Sequence, residues 1–267
     1  MGIGFISRLC LVTDHPSDFG LVSCFVIRIS SFALLPHSSS TIPRLCFYIA
    51  DLMQRGLFIT FEGSEGCGKS TQIKHLSERL LGLNIPFITT REPGGTPIGE
   101  DIRNLLQYSK AGFAMKPEAE LLLFTASRAQ LVREVIQPAL DAGTTVIADR
   151  FLDSTTVYQG VARKIETPAV KFINEFAVGP CLPDITFLLD LDLATSTARM
   201  LARPLPPGGI DRMEQQPPEF YEAVRAGYQK LAASEPHRVR VIDASKSISE
   251  IEQAIWAHLS EKLTKKN

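Results

Sequence analysis

The sequence predicts an α/β fold, a parallel β-sheet covered by helices on both faces. Three observations carry this. From residue 56 onward, short apolar runs alternate with longer stretches of helical periodicity, the pattern of βαβ units. The first run passes through a glycine-rich segment, residues 63–70, straight into a helical stretch. With 45% apolar and 21% charged residues in 267, the chain has the balance of a globular protein that buries one large core.

Leu57 to Phe61 is a short apolar run ending at Gly63, which reads as a buried strand. Ile73, Leu76, Leu80 and Leu83 recur at helical spacing over 69–83, and Gly82 and Asn84 close that helix. Residues 84–90 (NIPFITT) read as the second strand, and Ile98, Ile102, Leu105 and Leu106 share one face of a helix over 97–107. A longer helix opens at Pro117 and runs through Leu131 and Val132 to Ile136. Thr144 to Ala148 is the third strand, ending at Asp149; Asp184 to Leu191 is the fourth; Arg238 to Ile242 is the fifth. A last helix carries Ile251, Ile255, Trp256 and Leu259.

Residues 1–52 differ from the rest. They contain no glutamate, eight serines, three of the five cysteines and only Arg8, Arg28 and Arg44 as bases. They are expected to be a dispensable, disordered extension or an over-extended start, with Met53 opening a domain at 53–267. A targeting segment, acid-poor and serine-rich, is the other reading; a structural element is the third. The apolar stretch 19–36 is interrupted by Arg28 and is a poor membrane span. The net charge is -1, so nothing draws the chain to nucleic acid or an anionic membrane in bulk. Five cysteines at irregular spacing suit a reducing compartment, with the cytoplasm as the expected location.

Residues Gly63, Ser64, Glu65, Gly66, Cys67, Gly68, Lys69 and Ser70, followed by Thr71, match G-x-x-x-x-G-K-[ST] between a strand and a helix. The glycines let backbone N–H groups turn onto phosphate oxygens, and the helix N-terminus adds its positive dipole end. Lys69 reaches the outer phosphates, and Ser70 offers its hydroxyl to Mg²⁺. The segment is therefore a nucleoside triphosphate site. No Asn-Lys-x-Asp element is present for guanine. The third strand ends in Asp149-Arg150 rather than paired acids, so a second anionic group beside the γ-phosphate is expected, which favours a kinase of a small phosphorylated acceptor.

Three further segments follow in order. Residues 91–95 (REPGG) follow the second strand, and Phe124, Arg128 and Gln130 sit on the long helix. Asp149-Arg150, Asp153-Ser154 and Tyr158-Gln159-Gly160 follow the third strand. By helical spacing alone, a core ring with a snorkelling arginine is the better fit for Phe124 with Arg128. Together with the P-loop these segments resemble the thymidylate kinase family, over residues 56 to about 260. The resemblance implies a P-loop nucleoside monophosphate kinase fold, a five-stranded parallel sheet with a small lid. It also implies transfer of the ATP γ-phosphate to dTMP with Mg²⁺, and a homodimer. A kinase of dUMP or dGMP, or a non-catalytic nucleotide-binding module, are the alternatives.

By the resemblance, Phe124 stacks on thymine and Arg128 donates to the base edge. Arg91 and Arg150 clamp the acceptor phosphate, and Gln159 and Tyr158 lie near the base and deoxyribose. Glu65 approaches the sugar hydroxyl, and Asp149 orients the clamp or holds a Mg²⁺ water. The catalytic charges are Lys69, Arg150 and a lid arginine. Residues 199–213, rich in proline and glycine, are the lid segment. No arginine occurs between Gly63 and Gly68, which resembles the lid-arginine arrangement of bacterial members, with Arg203 the first choice and Arg199 the second. Arg212 is expected to pair with carboxylates and anchor the lid.

Overall fold

The structure, a computed structural model, describes residues 55–109, 114–203 and 211–264. The expectations for residues 1–52, and for the centre of the lid segment at 204–210, lie outside the described residues. Five strands form one sheet: β1 (Phe58–Glu62), β2 (Phe87–Arg91), β3 (Thr145–Asp149), β4 (Ile185–Asp190) and β5 (Val239–Asp243). All neighbours are parallel, in the order β2-β3-β1-β4-β5. The helices are α1 (Lys69–Gly82), α2 (Pro97–Gln107), α3 (Pro117–Leu131), α4 (Leu152–Thr155), α5 (Thr167–Val178), α6 (Leu193–Ala202), α7 (Pro218–Ser234) and α8 (Ile248–Thr264).

Strand alternation sends the core to two faces. Ile59, Phe61, Ile147, Phe187 and Leu189 pack under α1 and α8 against Leu76, Leu80, Ile251 and Ile255. Phe58, Val146 and Ala148 face the other way, onto Leu131, Val132, Ile136 and Val178. Leu188 continues that second face under Val224 and Tyr228 of α7. Each fully buried Leu, Ile or Phe contributes roughly 1.5–3 kcal/mol, so both layers hold the sheet. The register sets Phe61 and Arg91 both opposite Asp149, so the carboxyl ends of β1, β2 and β3 are level. The chain leaves β1 onto one face and β3 onto the other, which opens a crevice at that edge.

The α/β architecture is the one expected, with differences in detail. The second strand begins at Phe87, not residue 84. Asn84 takes a left-handed φ of 55° as the backbone closes α1 through Ile85 N–H to Leu80 O. The long helix stops being α-helical at Leu131 and widens into a π turn over Val132–Ile136, then resumes over Gln137–Asp141. Pro138 is the physical reason: it has no N–H to give the preceding turn, and its ring crowds the carbonyl four residues back. Among the described residues, no helix is long and apolar enough to cross a membrane.

Candidate active site

The buried strand β1 delivers the chain into the glycine-rich loop at the crevice. Gly63 has φ 134°, and a Cβ there would lie 2.5 Å from Leu189 O, so only glycine fits. Gly68, at φ 97°, caps α1. The Lys69 ammonium turns back inside the loop, donating to Gly63 O at 3.2 Å and Ser64 O at 3.0 Å. Ser70 Oγ points across the crevice to Asp149 Oδ2 at 3.4 Å, which puts a hydroxyl and a carboxylate side by side at the loop's mouth.

Arg150 follows β3 with a left-handed φ of 69°, a strained backbone for a long side chain. Its own N–H is held by Phe61 O at 2.9 Å. Nη1 donates to Gly63 O at 3.0 Å and Ser154 Oγ at 3.2 Å, Nη2 pairs with Glu65, and the guanidinium lies over the Tyr158 ring. Burial works against an ionised Glu65, but Arg150 and Lys69 outweigh it and hold its pKa at about 2. Glu65 is thus an anion at any working pH.

The arginine is fixed from behind by Asp153 and Ser154 of the segment after the third strand and by Glu62, Tyr228 and Arg238, which the sequence does not single out. Glu62, fully buried, accepts from Phe151 N at 2.8 Å, Ser154 Oγ at 2.7 Å and Tyr228 Oη at 2.7 Å. Burial, then the nearby Asp153, raise its pKa against the pull of Arg150. Beneath it Asp153 receives a fork from Arg238, both bonds 2.7 Å. A lone acid ending an apolar run was the available signal for Glu62. Phe220, Val224 and Tyr228 at helical spacing were the signal for α7.

On the acceptor side, Arg91 ends β2 and donates to Glu100 Oε2 at 2.8 Å, while Glu100 Oε1 takes Gly95 N–H at 2.8 Å. A Cβ on Gly94 would meet Glu100 at 2.5 Å and one on Gly95 would meet Thr90 at 2.5 Å, so this turn needs both glycines. Phe124 lines the cavity. Arg128, expected at the base edge, is only 1% exposed and is not part of the cavity wall. Its Nε and Nη2 fork onto Glu92, Nη2 also reaches Phe151 O at 3.2 Å, and Nη1 donates to Asn174 Oδ1 at 2.9 Å. Four of its five N–H groups are thereby used. Burial lifts the Glu92 pKa to about 7 against the opposing Arg128. Gln159 and Tyr158 line the cavity; the Tyr158 hydroxyl is buried without a partner.

One cavity of about 530 Å³ joins these parts, lined among others by Lys69, Ser70, Arg91, Phe124, Asp149 and Arg150. From α2 and the residue that caps it, Arg103, Gln107 and Tyr108 add a wall that the sequence did not announce. On the lid side Arg203 also lines it and pairs with Glu214. Arg199 also lines the cavity, with its Cβ close beside Gly66, and its guanidinium donates to Ala244 O at 3.1 Å, in the turn after β5. Arg212 pairs with Glu120. Asp192 caps α6 through Thr195 N–H.

A family model described as thymidylate kinase matches residues 61–255. A thymidylate kinase of Syntrophotalea carbinolica is 45% identical over 208 residues, 77% of this chain and 96% of the relative. One from Deinococcus radiodurans is 44% identical over 210 residues, 79% of this chain and 99% of the relative. Among solved structures, thymidylate kinase from Ehrlichia chaffeensis superposes with a TM-score of 0.61 at 34% identity, covering 77% of this chain and 99% of that one.

Proposed function

This chain belongs to the thymidylate kinase family, and from that premise we propose how its residues divide the work. The reaction transfers the γ-phosphoryl group of ATP to dTMP and yields dTDP. The observation that carries the assignment is the single cavity in which Lys69 and the P-loop face Phe124, Arg91 and Arg150. One end takes a triphosphate, the other a flat base with a phosphate.

The attacking atom is a dTMP phosphate oxygen, already anionic near neutral pH, so no general base is needed. Catalysis reduces to alignment and charge neutralisation. The loop amides and Lys69 hold the β- and γ-phosphates. Arg150 and Arg91 hold the acceptor phosphate, where a planar fork binds two oxygens at once. Phe124 stacks on thymine, while Arg128, buried on Glu92, Phe151 O and Asn174, braces the wall behind it instead of meeting the base. Glu65 accepts from the sugar hydroxyl, beside the unpartnered Tyr158 hydroxyl. Arg203 supplies the last positive charge from the lid.

Mg²⁺ binds nucleotide phosphates with one or two protein oxygens and its own waters. The juxtaposed Ser70 hydroxyl and Asp149 carboxylate fit that demand and would hold it, and the ion would neutralise charge between the β- and γ-phosphates. A cytoplasmic location goes with this reading.

A coupled ADP-release assay over dTMP, dUMP, dGMP and dCMP tests the function. dTMP is expected to give the highest kcat/KM; absence of dTMP-dependent ADP release would end the assignment.

The expected homodimer has a surface to form on. Phe172 and Phe176, 70% and 78% exposed, project from one side of α5, and Leu122 is exposed on α3, against which α5 packs. Burying two such rings is worth roughly 3–6 kcal/mol before association costs. Phe172→Glu with Phe176→Glu is expected to convert a dimer to a monomer in sedimentation. An unchanged sedimentation coefficient would place the interface elsewhere.

A further inference from the structure

An acid in the first turn of a helix ordinarily stays in water, favoured by the dipole. Glu120 of α3 does not: it is 1% exposed and receives three side chains from two separate parts of the chain. Gln159 Nε2 donates to Oε1 at 2.8 Å, Arg163 donates to both oxygens at 3.2 and 3.3 Å, and Arg212, at the foot of the lid, pairs with Oε2 at 2.6 Å. Burial pushes the Glu120 pKa up, but the Gln159 amide and the two arginines outweigh it, and the net direction is down. Ionised, the carboxylate can only accept.

That one-sidedness fixes the Gln159 amide. With an acceptor-only group behind it, Nε2 must face Glu120. No described residue donates to its carbonyl oxygen, and Gln159 lines the cavity. The polar atom offered to a ligand is therefore an acceptor. We propose that Glu120 is a positioning residue for acceptor choice: it locks Gln159 carbonyl-inward, so that the pocket takes a pyrimidine carrying a ring N–H, as thymine and uracil do, and turns away cytosine, whose ring nitrogen at that place is itself an acceptor. This rests on the reading above that thymine stacks on Phe124 with Gln159 near the base. A site whose buried polar group is left unpaired by the wrong ligand discriminates far more strongly than an apolar wall.

The test uses the full chain and three measurements for each variant: kcat and KM with dTMP, the same with dCMP, and KM for ATP. Glu120→Gln offers both donor and acceptor, so the Gln159 amide is free to turn over. The dTMP-over-dCMP preference in kcat/KM is expected to fall at least about tenfold. The change should sit in the dTMP KM, with the ATP KM within about twofold. Glu120→Asp, still acceptor-only, should retain most of the preference. A retained preference in Glu120→Gln overturns the proposal.

Gln159→Leu separates the two readings. If it raises the dTMP KM while Glu120→Gln keeps its selectivity, Glu120 alone is wrongly assigned. If it leaves the dTMP KM unchanged, the base site is misplaced and the proposal falls with it. Should Glu120→Gln not fold, Glu120→Ala, alone and combined with Gln159→Leu, decides: non-additive losses of the dTMP preference support coupling, and additive losses overturn it.

Discussion

Arg203→Ala is expected to lower kcat by about 10³-fold or more, the range of a phosphoryl-transfer arginine, with the dTMP KM moving by less than about threefold. Two polyanions meet in this cavity, and the loop between Gly63 and Gly68 contributes no arginine. Lys69 and Arg150 are the fixed charges; a third has to arrive as charge develops. Arg203 ends α6, lines the cavity, and is parked on Glu214 by a pair that is partly open to water, 38% exposed on the arginine side. Such a pair is worth at most about 1 kcal/mol, so a triphosphate can displace it. A contact made chiefly in the transition state shows in kcat rather than in ground-state affinity.

Arg199 is the internal comparison. Its bond to Ala244 O ties it to the turn after β5. Arg199→Ala is therefore expected to raise the ATP KM more than it lowers kcat. Steady-state ADP release for both variants checks this. Turnover of Arg203→Ala within about tenfold of the parent, with Arg199→Ala the inactive one, would exchange the two roles.

How much of this was legible in sequence depended on whether the chemistry is local. The phosphate loop needs consecutive backbone amides, so eight neighbouring residues announce it. The sheet was legible for a similar reason, because each strand is a short apolar run. What holds the arginines is different. Glu62, Asp153, Tyr228 and Arg238 are brought together by strand order, across as many as 166 positions between Glu62 and Tyr228, and a one-dimensional pattern carries no trace of that. α5 hid for another reason: Phe172 and Phe176 face outward while Val170 and Val178 face inward, so no single apolar stripe marks it. Arg128 shows the limit of spacing. One helical turn from Phe124 fixes the direction of its stem, not whether its guanidinium meets a ligand or the buried Glu92.

Arg150→Met should be damaging in two separable ways: a loss of about 10³-fold in kcat/KM and a loss of about 3–5 kcal/mol in stability. The first follows from removing the fork on the acceptor phosphate. The second follows because a guanidinium only 15% exposed now compensates Glu62 and Glu65, and its removal strands buried negative charge. The pH dependence tells the two apart. In the parent, Glu65 has a folded pKa near 2, below its unfolded value, so its contribution is fully present above about pH 4.5 and is lost only as the pH falls toward 2.

Without Arg150 both carboxylates titrate upward, above their unfolded values. The variant then binds protons on folding and gains stability as the pH falls. The stability gap between parent and variant is expected to narrow from pH 8 to pH 5, read from denaturant unfolding at each pH. Glu65→Gln in the same variant should recover part of the stability at pH 8 and none of the activity, since the neutral amide relieves the stranded charge without restoring a clamp. A gap that stays constant with pH would mean that Arg150 is not what compensates these acids, and near-parent turnover would remove it from the acceptor phosphate.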